Sequence, residues 1–379
     1  MKTVHDIQLL ENVPVIVRAP LNVPIKDGVV ADDYRLRRAV PTIEFLASRG
    51  ARVILISHIG SEGTETLKPV ADALGNLVKN VSFCDVTIGE RARAAVRALA
   101  PGDVLVLENL RRNAGEKKNS KEFAKELAML GDVFVQDSFD TCHRAHASIV
   151  TLPTLLPAYA GLLLVEEIAA LTDALSPKHP SLAVIGGAKF ATKEILLERL
   201  LSKYDHVFVA GALANDFFKA KGYEVGKSLV SGADDTHIRK MLENPKLIIP
   251  IDVRVVRSGI LPVPTHARIA AVEDVHADDI ILDLGPATEM MLQELVPSMK
   301  TILWNGPLGK YEDRFVDATH ALAEAVATSG SHSVVGGGDT VAALETLKIL
   351  KKFSFVSTGG GAMLDLLAKG TLPGIEALG

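Results

Sequence analysis

Arg18, Arg111 and Arg144 place guanidinium groups, and His58, His143 and His146 imidazoles, behind short apolar runs in the first half of the chain, and Arg35 opens a predicted helix there. Guanidinium forks grip carboxylates and phosphates through paired hydrogen bonds, so this set suits a small, highly anionic metabolite. The matching positions of the second half are glycine-rich: Gly186-Gly187-Ala188-Lys189, Ala210-Gly211-Ala212, Asn305-Gly306-Pro307, Gly336-Gly337-Gly338-Asp339-Thr340 and Ser357-Thr358-Gly359-Gly360-Gly361. Glycine lets the backbone approach a ligand, and the N–H groups that open the next helix then cradle phosphate oxygens. With Lys189 and Lys193 nearby, that half suits a nucleotide. Other chemistries are excluded. The segment 222–228 is one residue short of a phosphate-binding P-loop and follows a helical stretch. No G-x-G-x-x-G supports a dinucleotide dehydrogenase. Cys142 and His143 are sequence neighbours that need not face each other, and His143 with His146 lacks the further ligands of a zinc site.

These residues need a scaffold. Apolar, β-branched runs recur at 13–17, 52–56, 103–107, 132–135, 182–185, 206–209, 246–250, 279–284, 300–304, 332–335 and 353–356, mostly separated by amphipathic stretches. Such alternation predicts βαβ units and parallel sheets covered on both faces, with ligands bound beyond the carboxyl ends of the strands. Residues 162–175 read as a helix leading into a turn-rich segment with two prolines, Pro177 and Pro180. One α/β domain is therefore expected before this connector and another after it. Of 379 residues 48% are apolar and 23% charged, which excludes disorder as the main state, and a net charge of −5 does not advertise nucleic acid. Two cysteines, Cys84 and Cys142, fit a reducing compartment. The first residues carry no apolar leader, and the run 151–165 is broken by Pro153 and Pro157. A cytoplasmic globular protein is the expectation.

The strings RAPLNVP (18–24), DDYRLRRAVPTIEFL (32–46), SHIG (57–60), LENLR (107–111), DSFDTCHRAHAS (137–148), GGAKFATK (186–193), ILWNGP (302–307), GGGDT (336–340) and STGGGAMLDLLAKGTLPGIEAL (357–378) resemble phosphoglycerate kinase, in that family's order and spacing. The resemblance implies two similar-sized, doubly wound α/β domains. Residues 1–162 would bind the acid, 163–178 form a connecting helix, 179–360 bind nucleotide, and 361–379 return to the N-terminal domain. It further implies reversible phosphoryl transfer between 1,3-bisphosphoglycerate and ADP, Mg²⁺ as cofactor, hinge closure, and a monomer with no nucleic-acid or membrane partner. Asn22, Arg35, His58, Arg111 and Arg144 match the acid-binding positions, with Pro20 and Ser61 standing at two more. Arg35, Lys189, Gly360 and Gly361 match positions around the transferred group, and Gly359 belongs to the same loop. Lys189, Lys193, Gly211, Asn305, Pro307, Glu312, Gly337, Gly338, Asp339 and Thr340 match nucleotide-binding positions. Glu312 would accept the ribose hydroxyls, and Asp339 would serve the magnesium.

The chain also departs from the family pattern. Pro20 stands where an aspartate is usual, Ser61 where an arginine is, and Asp140 where a glycine is. Ala210, Ala212 and Lys310 are departures on the nucleotide side. Pro20, Ser61 and Asp140 support a rival to the kinase reading, a homologue that binds nucleotide but takes a different acid or does not catalyse, and Asp140 is expected to repel phosphate. An arginine contact to phosphate is worth about 1.5–3 kcal/mol, or roughly 10- to 150-fold in affinity. Ser61→Arg is therefore expected to lower the KM for 3-phosphoglycerate by that order and leave the KM for ATP nearly unchanged, as read from steady-state kinetics.

Overall fold

The computed structural model describes residues 1–188 and 190–379. They form two compact units, Met1–Ala169 with Thr371–Gly379, and Ala170–Gly370. The first unit is built on strands β1 (Pro14–Arg18), β2 (Arg52–Ile56), β3 (Val81–Cys84), β4 (Val104–Leu107), β5 (Val133–Gln136) and β6 (Ala158–Ala160). They pair in parallel in the order β3-β4-β2-β1-β5-β6. β1, β4 and β5 are buried at every residue, as continuous apolar strings require when helices cover both faces of a parallel sheet. Helix Tyr34–Ala47 buries Leu36, Ala39, Ile43 and Leu46, spacing that keeps one face on the sheet. In helix Lys121–Ala128 the Ser120 hydroxyl accepts the Phe123 N–H at 3.3 Å, and Phe123, Ala124 and Leu127 are buried. Each large aliphatic side chain removed from water in this way contributes about 1.5–3 kcal/mol.

The second unit contains strands β7 (Ser181–Ile185), β8 (His206–Val209), β9 (Leu247–Ile248), β10 (Asp252–Arg257), β11 (Arg268–Ala271), β12 (Asp279–Leu284), β13 (Thr301–Asn305), β14 (His332–Gly336) and β15 (Phe355–Val356). A parallel sheet runs β9-β8-β7-β13-β14-β15. The run 279–284 departs from the expected parallel pattern. It pairs antiparallel with β10, which also pairs antiparallel with β11, in a separate three-stranded sheet. Val253 and Val255 of β10 pack on Ala214, Phe218, Val225, Ala270, Val272 and Val275 beneath that sheet. The sequence periodicity cannot separate these cases, because an apolar run of this length serves either pairing.

Helix Leu162–Ala174 carries the chain from one unit to the other. Its start is fixed by Asp137, whose Oδ1 accepts the N–H groups of Leu163 and Leu164 at 3.0 and 3.2 Å. Gly161 makes this approach possible, since a Cβ there would lie 2.1 Å from the Asp137 Oδ1. Of the segment 361–379, which the resemblance implies returns to the N-terminal domain, the residues Thr371–Gly379 group with the first unit. Helix Gly361–Lys369 stays in the second unit, where Arg199 Nη1 donates to the carbonyls of Leu367 and Ala368 at 3.0 and 3.1 Å and so satisfies the helix end. Only Thr371–Gly379 belongs to the first unit, where the Gly374 N–H donates to the Cys142 carbonyl at 2.9 Å. Among the described residues no helix is long and apolar enough to cross a membrane.

Burial pushes the Asp137 carboxyl up to about 7, against hydrogen bonds from Thr42 and from the Leu164 and Leu163 amides that act to lower it. Its ordinary value is 3.8, so the native state binds the extra proton between about pH 4 and 7, and that contribution to stability is lost as pH rises through 7. Asp137→Asn keeps the acceptor oxygen and removes the titration. Its melting temperature relative to the unsubstituted chain should therefore climb by roughly 5 °C between pH 4.5 and 8, as followed by calorimetry.

Candidate active site

The carboxyl ends of β1, β2 and β5, three neighbouring strands, converge on one buried guanidinium. Arg18, 1% exposed at the end of β1, donates from Nη1 to the Ala19 carbonyl (2.9 Å), Ser57 Oγ (3.1 Å) and Ser138 Oγ (3.3 Å), and from Nε to Ser148 Oγ (3.2 Å). Each serine passes the polarity on. Ser57 donates to the Ala19 carbonyl at 2.7 Å, Ser138 to Asp140 at 2.5 Å and Ser148 to Glu116 at 2.6 Å. The remaining Arg18 nitrogen, Nη2, lies 2.9 Å from His58 Nδ1. Arginine can only donate, so Nδ1 accepts and the His58 proton sits on Nε2. Burial first, then the charges of Arg18, Arg111, Arg144 and Arg35, hold His58 well below the usual histidine range. His146 is pushed down to about 4 by burial and by Arg144, Arg111 and Arg18. Both rings are neutral at physiological pH within a field of four guanidinium groups.

The loop after β2 is pinned to the segment after β4. Asn109 Oδ1 accepts the N–H groups of Ile59 (3.2 Å) and Arg111 (3.1 Å), while its Nδ2 donates to the carbonyls of Ile59 (2.8 Å) and Glu65 (3.0 Å). Glu108 accepts from the Leu67 N–H at 2.9 Å and the Thr66 hydroxyl at 2.8 Å. Arg111 Nη1 donates to the Gly60 carbonyl, and its Nε is buried with no partner. Asn22 joins the same assembly: its Oδ1 accepts the Gly60 N–H at 3.1 Å and its carbonyl accepts Arg35 Nη1 at 2.8 Å. Arg35 is the second residue of helix Tyr34–Ala47. Pro20 is buried just beyond Ala19, Ser61 is exposed on the pinned loop, and Arg144 is half-buried, its Nε 3.4 Å from His143 Nε2. Asp140 is not the isolated repulsive charge the sequence suggested. It accepts from Ser138 and lies 3.6 Å from Arg35 Nη1.

In the second unit the carboxyl edge of the parallel sheet presents glycine-capped helix starts. Gly211 opens Ala212–Ala220 after β8, Gly337 opens Gly338–Thr346 after β14, and Gly360 opens Gly361–Lys369 after β15. Their first N–H groups are the orphan donors that bind anions. After β7, Gly187 has φ +111°, and a Cβ there would lie 2.9 Å from Lys193 Nζ, so glycine leaves room for that amine. Lys193 is 8% exposed, and burial lowers its pKa, leaving a cation with every reason to meet a phosphate. Thr340 Oγ1 accepts the Gly306 N–H at 3.1 Å, and the Asn305 carbonyl accepts the Gly186 N–H at 2.8 Å, so the glycine turns are locked to one another. A cavity of about 550 Å³ opens beside them, its wall apolar at Phe218, Leu229, Val253 and Leu308, with Gly187, Gly211, Pro307, Glu312 and Asp339 also on its lining. Partial burial and the neighbouring charge of Glu312 push the Asp339 carboxyl up, a strain that a cation would relieve. The expected Lys189 lies outside the described residues. Cys142 offers no nucleophile, because burial pushes its thiol far above the ordinary value.

An arginine-rich basin in one unit and a nucleotide-sized, glycine-edged cavity in the other narrow the field. The sequence profile of the family described as phosphoglycerate kinase matches residues 4–370. The chain belongs to the phosphoglycerate kinase family. It is 44% identical over 382 residues to the phosphoglycerate kinase of Azorhizobium caulinodans, covering 96% of each chain, and 41% identical over 391 residues to that of Pelotomaculum thermopropionicum, covering 100% and 98%. Its fold superposes on phosphoglycerate kinase structures from Coxiella burnetii (TM-score 0.82, 38% identity, 99% and 98% coverage) and Pyrococcus horikoshii (TM-score 0.88, 30% identity, 100% and 98% coverage). As a phosphoglycerate kinase family member it is a phosphotransferase of the glycolytic type. These likenesses give no support to the rival reading of a divergent, non-catalytic homologue.

The first unit's basin is held together by Ser57, Glu108 and Asn109, which the strand-end pattern of the sequence marks, and by Ser138, Ser148 and Glu116, which it passes over. Ser57, Glu108 and Asn109 directly follow strand ends, whereas Glu116 and Ser148 lie in the short helices Ala114–Lys117 and Ala147–Thr151, away from any strand end. The Arg18–His58 contact makes a direct prediction. Imidazole ¹⁵N shifts should report His58 neutral and protonated on Nε2 from pH 8 down to pH 5.5, and a His58 titration in that range would contradict the assigned contact.

Proposed function

We propose that this kinase transfers a phosphoryl group reversibly between 1,3-bisphosphoglycerate and ADP, with the first unit holding the acid and the second the magnesium nucleotide. The observation that carries the reading is the field of Arg18, Arg35, Arg111 and Arg144 around His58. An acid with a phosphate at one end and a carboxyl at the other matches that density of positive charge. Asn22, Arg35, His58, Arg111 and Arg144 are assigned to its binding, with Arg35 near the transferred group. Phosphoryl transfer passes through a loose, charge-spread transition state, which calls for positioning and fixed positive potential. Arg35, Lys193 and the N–H groups at Gly360 and Gly361 supply these. Lys189 is assigned the same duty.

On the nucleotide side the apolar wall of the cavity takes the base, Glu312 the ribose hydroxyls, and Lys193 with the turns at Gly211, Asn305–Pro307 and Gly337–Thr340 the phosphates. Asp339 would hold Mg²⁺, which when bound neutralises the phosphate charge. Transfer requires the reacting atoms within about 3–3.5 Å of each other, so the reading includes closure of a hinge when both ligands are present. Two buried free cysteines fit a cytoplasmic enzyme, and the reading includes a monomer acting on small molecules.

In a coupled assay, ATP consumption should depend on 3-phosphoglycerate at millimolar substrate. Mg-ADP and 3-phosphoglycerate should each raise the melting temperature, since a ligand of the native state stabilises it by mass action. Solution scattering should give a smaller radius of gyration with both ligands than with either one. Nucleotide binding without turnover would overturn the assignment.

A further inference from the structure

Asp140 is a carboxylate, 8% exposed, set in a basin otherwise built to attract anions. Its Oδ1 is filled by the Ser138 hydroxyl at 2.5 Å. Its Oδ2 lies 3.6 Å from Arg35 Nη1, beyond hydrogen-bond reach, while that nitrogen donates to the Asn22 carbonyl at 2.8 Å. The ion pair therefore holds Asp140 in place without consuming the lone pairs of Oδ2. Its charge also acts on Arg18 and Arg111, so it belongs to the basin and not to its rim.

A carboxylate repels both anionic ends of a phospho-acid and accepts hydrogen bonds only. The one kind of ligand group it can serve is a donor. A phosphoglycerate carries a single such group, the hydroxyl on the carbon between its carboxyl end and its phosphate end. We propose that Asp140 Oδ2 accepts this hydroxyl and is a specificity-determining residue that selects the hydroxylated phospho-acid over its deoxy analogue. The proposal rests on the acid-binding function given above. Arg35, held at the same carboxylate, keeps the local potential favourable to the acid, while an analogue without the hydroxyl leaves a buried acceptor unserved. Sites of that construction discriminate strongly, because the penalty falls on the wrong ligand.

The test compares kcat/KM for 3-phosphoglycerate and for 3-phosphonooxypropanoate, the same molecule without the hydroxyl, with Mg-ATP and the full chain. A hydrogen bond to a charged group predicts a preference of roughly ten- to a hundredfold for the hydroxylated acid. In Asp140→Gly the preference should fall to within about twofold, and Asp140→Asn, which keeps an acceptor oxygen without the charge, should lie between. A structural role alone would move both acids together and leave the ratio intact. Retention of the full ratio in Asp140→Gly overturns the proposal, as does an equal gain for both acids, which would mark Asp140 as a repulsive charge only. Equal use of both acids by the unsubstituted chain also overturns it, whereas no turnover of 3-phosphoglycerate at all overturns the assigned function. Mg-ADP affinity and melting temperature establish that each variant is folded. Should Asp140→Gly fail to fold, the ratio in Asp140→Asn decides the question.

Discussion

One buried cation organises the first unit. Arg18 sits where water cannot solvate it and meets its charge through three serine hydroxyls, one carbonyl and one imidazole. An isolated charge at such depth is prohibitive, and breaking a satisfied buried network typically costs about 3–5 kcal/mol. The ends of β1, β2 and β5 must therefore stay in register around the guanidinium. Register, in turn, places Arg35, Arg111 and Arg144 around His58. The same contact fixes which imidazole nitrogen is exposed to a ligand, so architecture and recognition depend on a single group. Two carboxylates, Glu116 and Asp140, are reached only through serines, which lets them offset the charge of Arg18 without closing the basin.

The second unit solves a related problem by other means. It offers backbone N–H groups at helix starts, which carry partial positive charge without side-chain entropy to lose. Glycine at each start leaves the approach open, and side-chain bonds such as Thr340 to the Gly306 N–H keep the turns from collapsing into the space they enclose. A flexible polyphosphate is suited to such a surface, because its oxygens can find donors in several orientations. A small rigid acid is better held by directional guanidinium forks. The proposed function divides the two chemistries between the units accordingly.

Much of this was legible in the residues themselves. Continuous β-branched strings marked most strands of both parallel sheets, and polar residues behind them marked the edges where ligands bind. Three kinds of feature were not legible. The strand Val81–Cys84 is partly exposed at a sheet edge and lacks the apolar continuity of its neighbours. The strands Asp252–Arg257 and Arg268–Ala271 interleave charge with apolar residues, and the run 279–284 pairs with them antiparallel, a choice set by tertiary contacts and not by local pattern. The environment of Asp140 was also hidden, because Ser138 is two residues away in sequence but Arg35 is more than a hundred. Sequence shows a charge, and only the fold shows what it faces.

Thr371–Gly379 complete a unit whose other residues, Met1–Ala169, are synthesised well before them. Between them runs the whole of 170–370. At about 5–20 residues per second this interval lasts on the order of tens of seconds. Throughout it the first unit lacks the segment that seats Gly374 against the Cys142 carbonyl. The nascent chain therefore carries an unsealed first unit past the synthesis of its neighbour, and that unit is completed only once Thr371–Gly379 has been made.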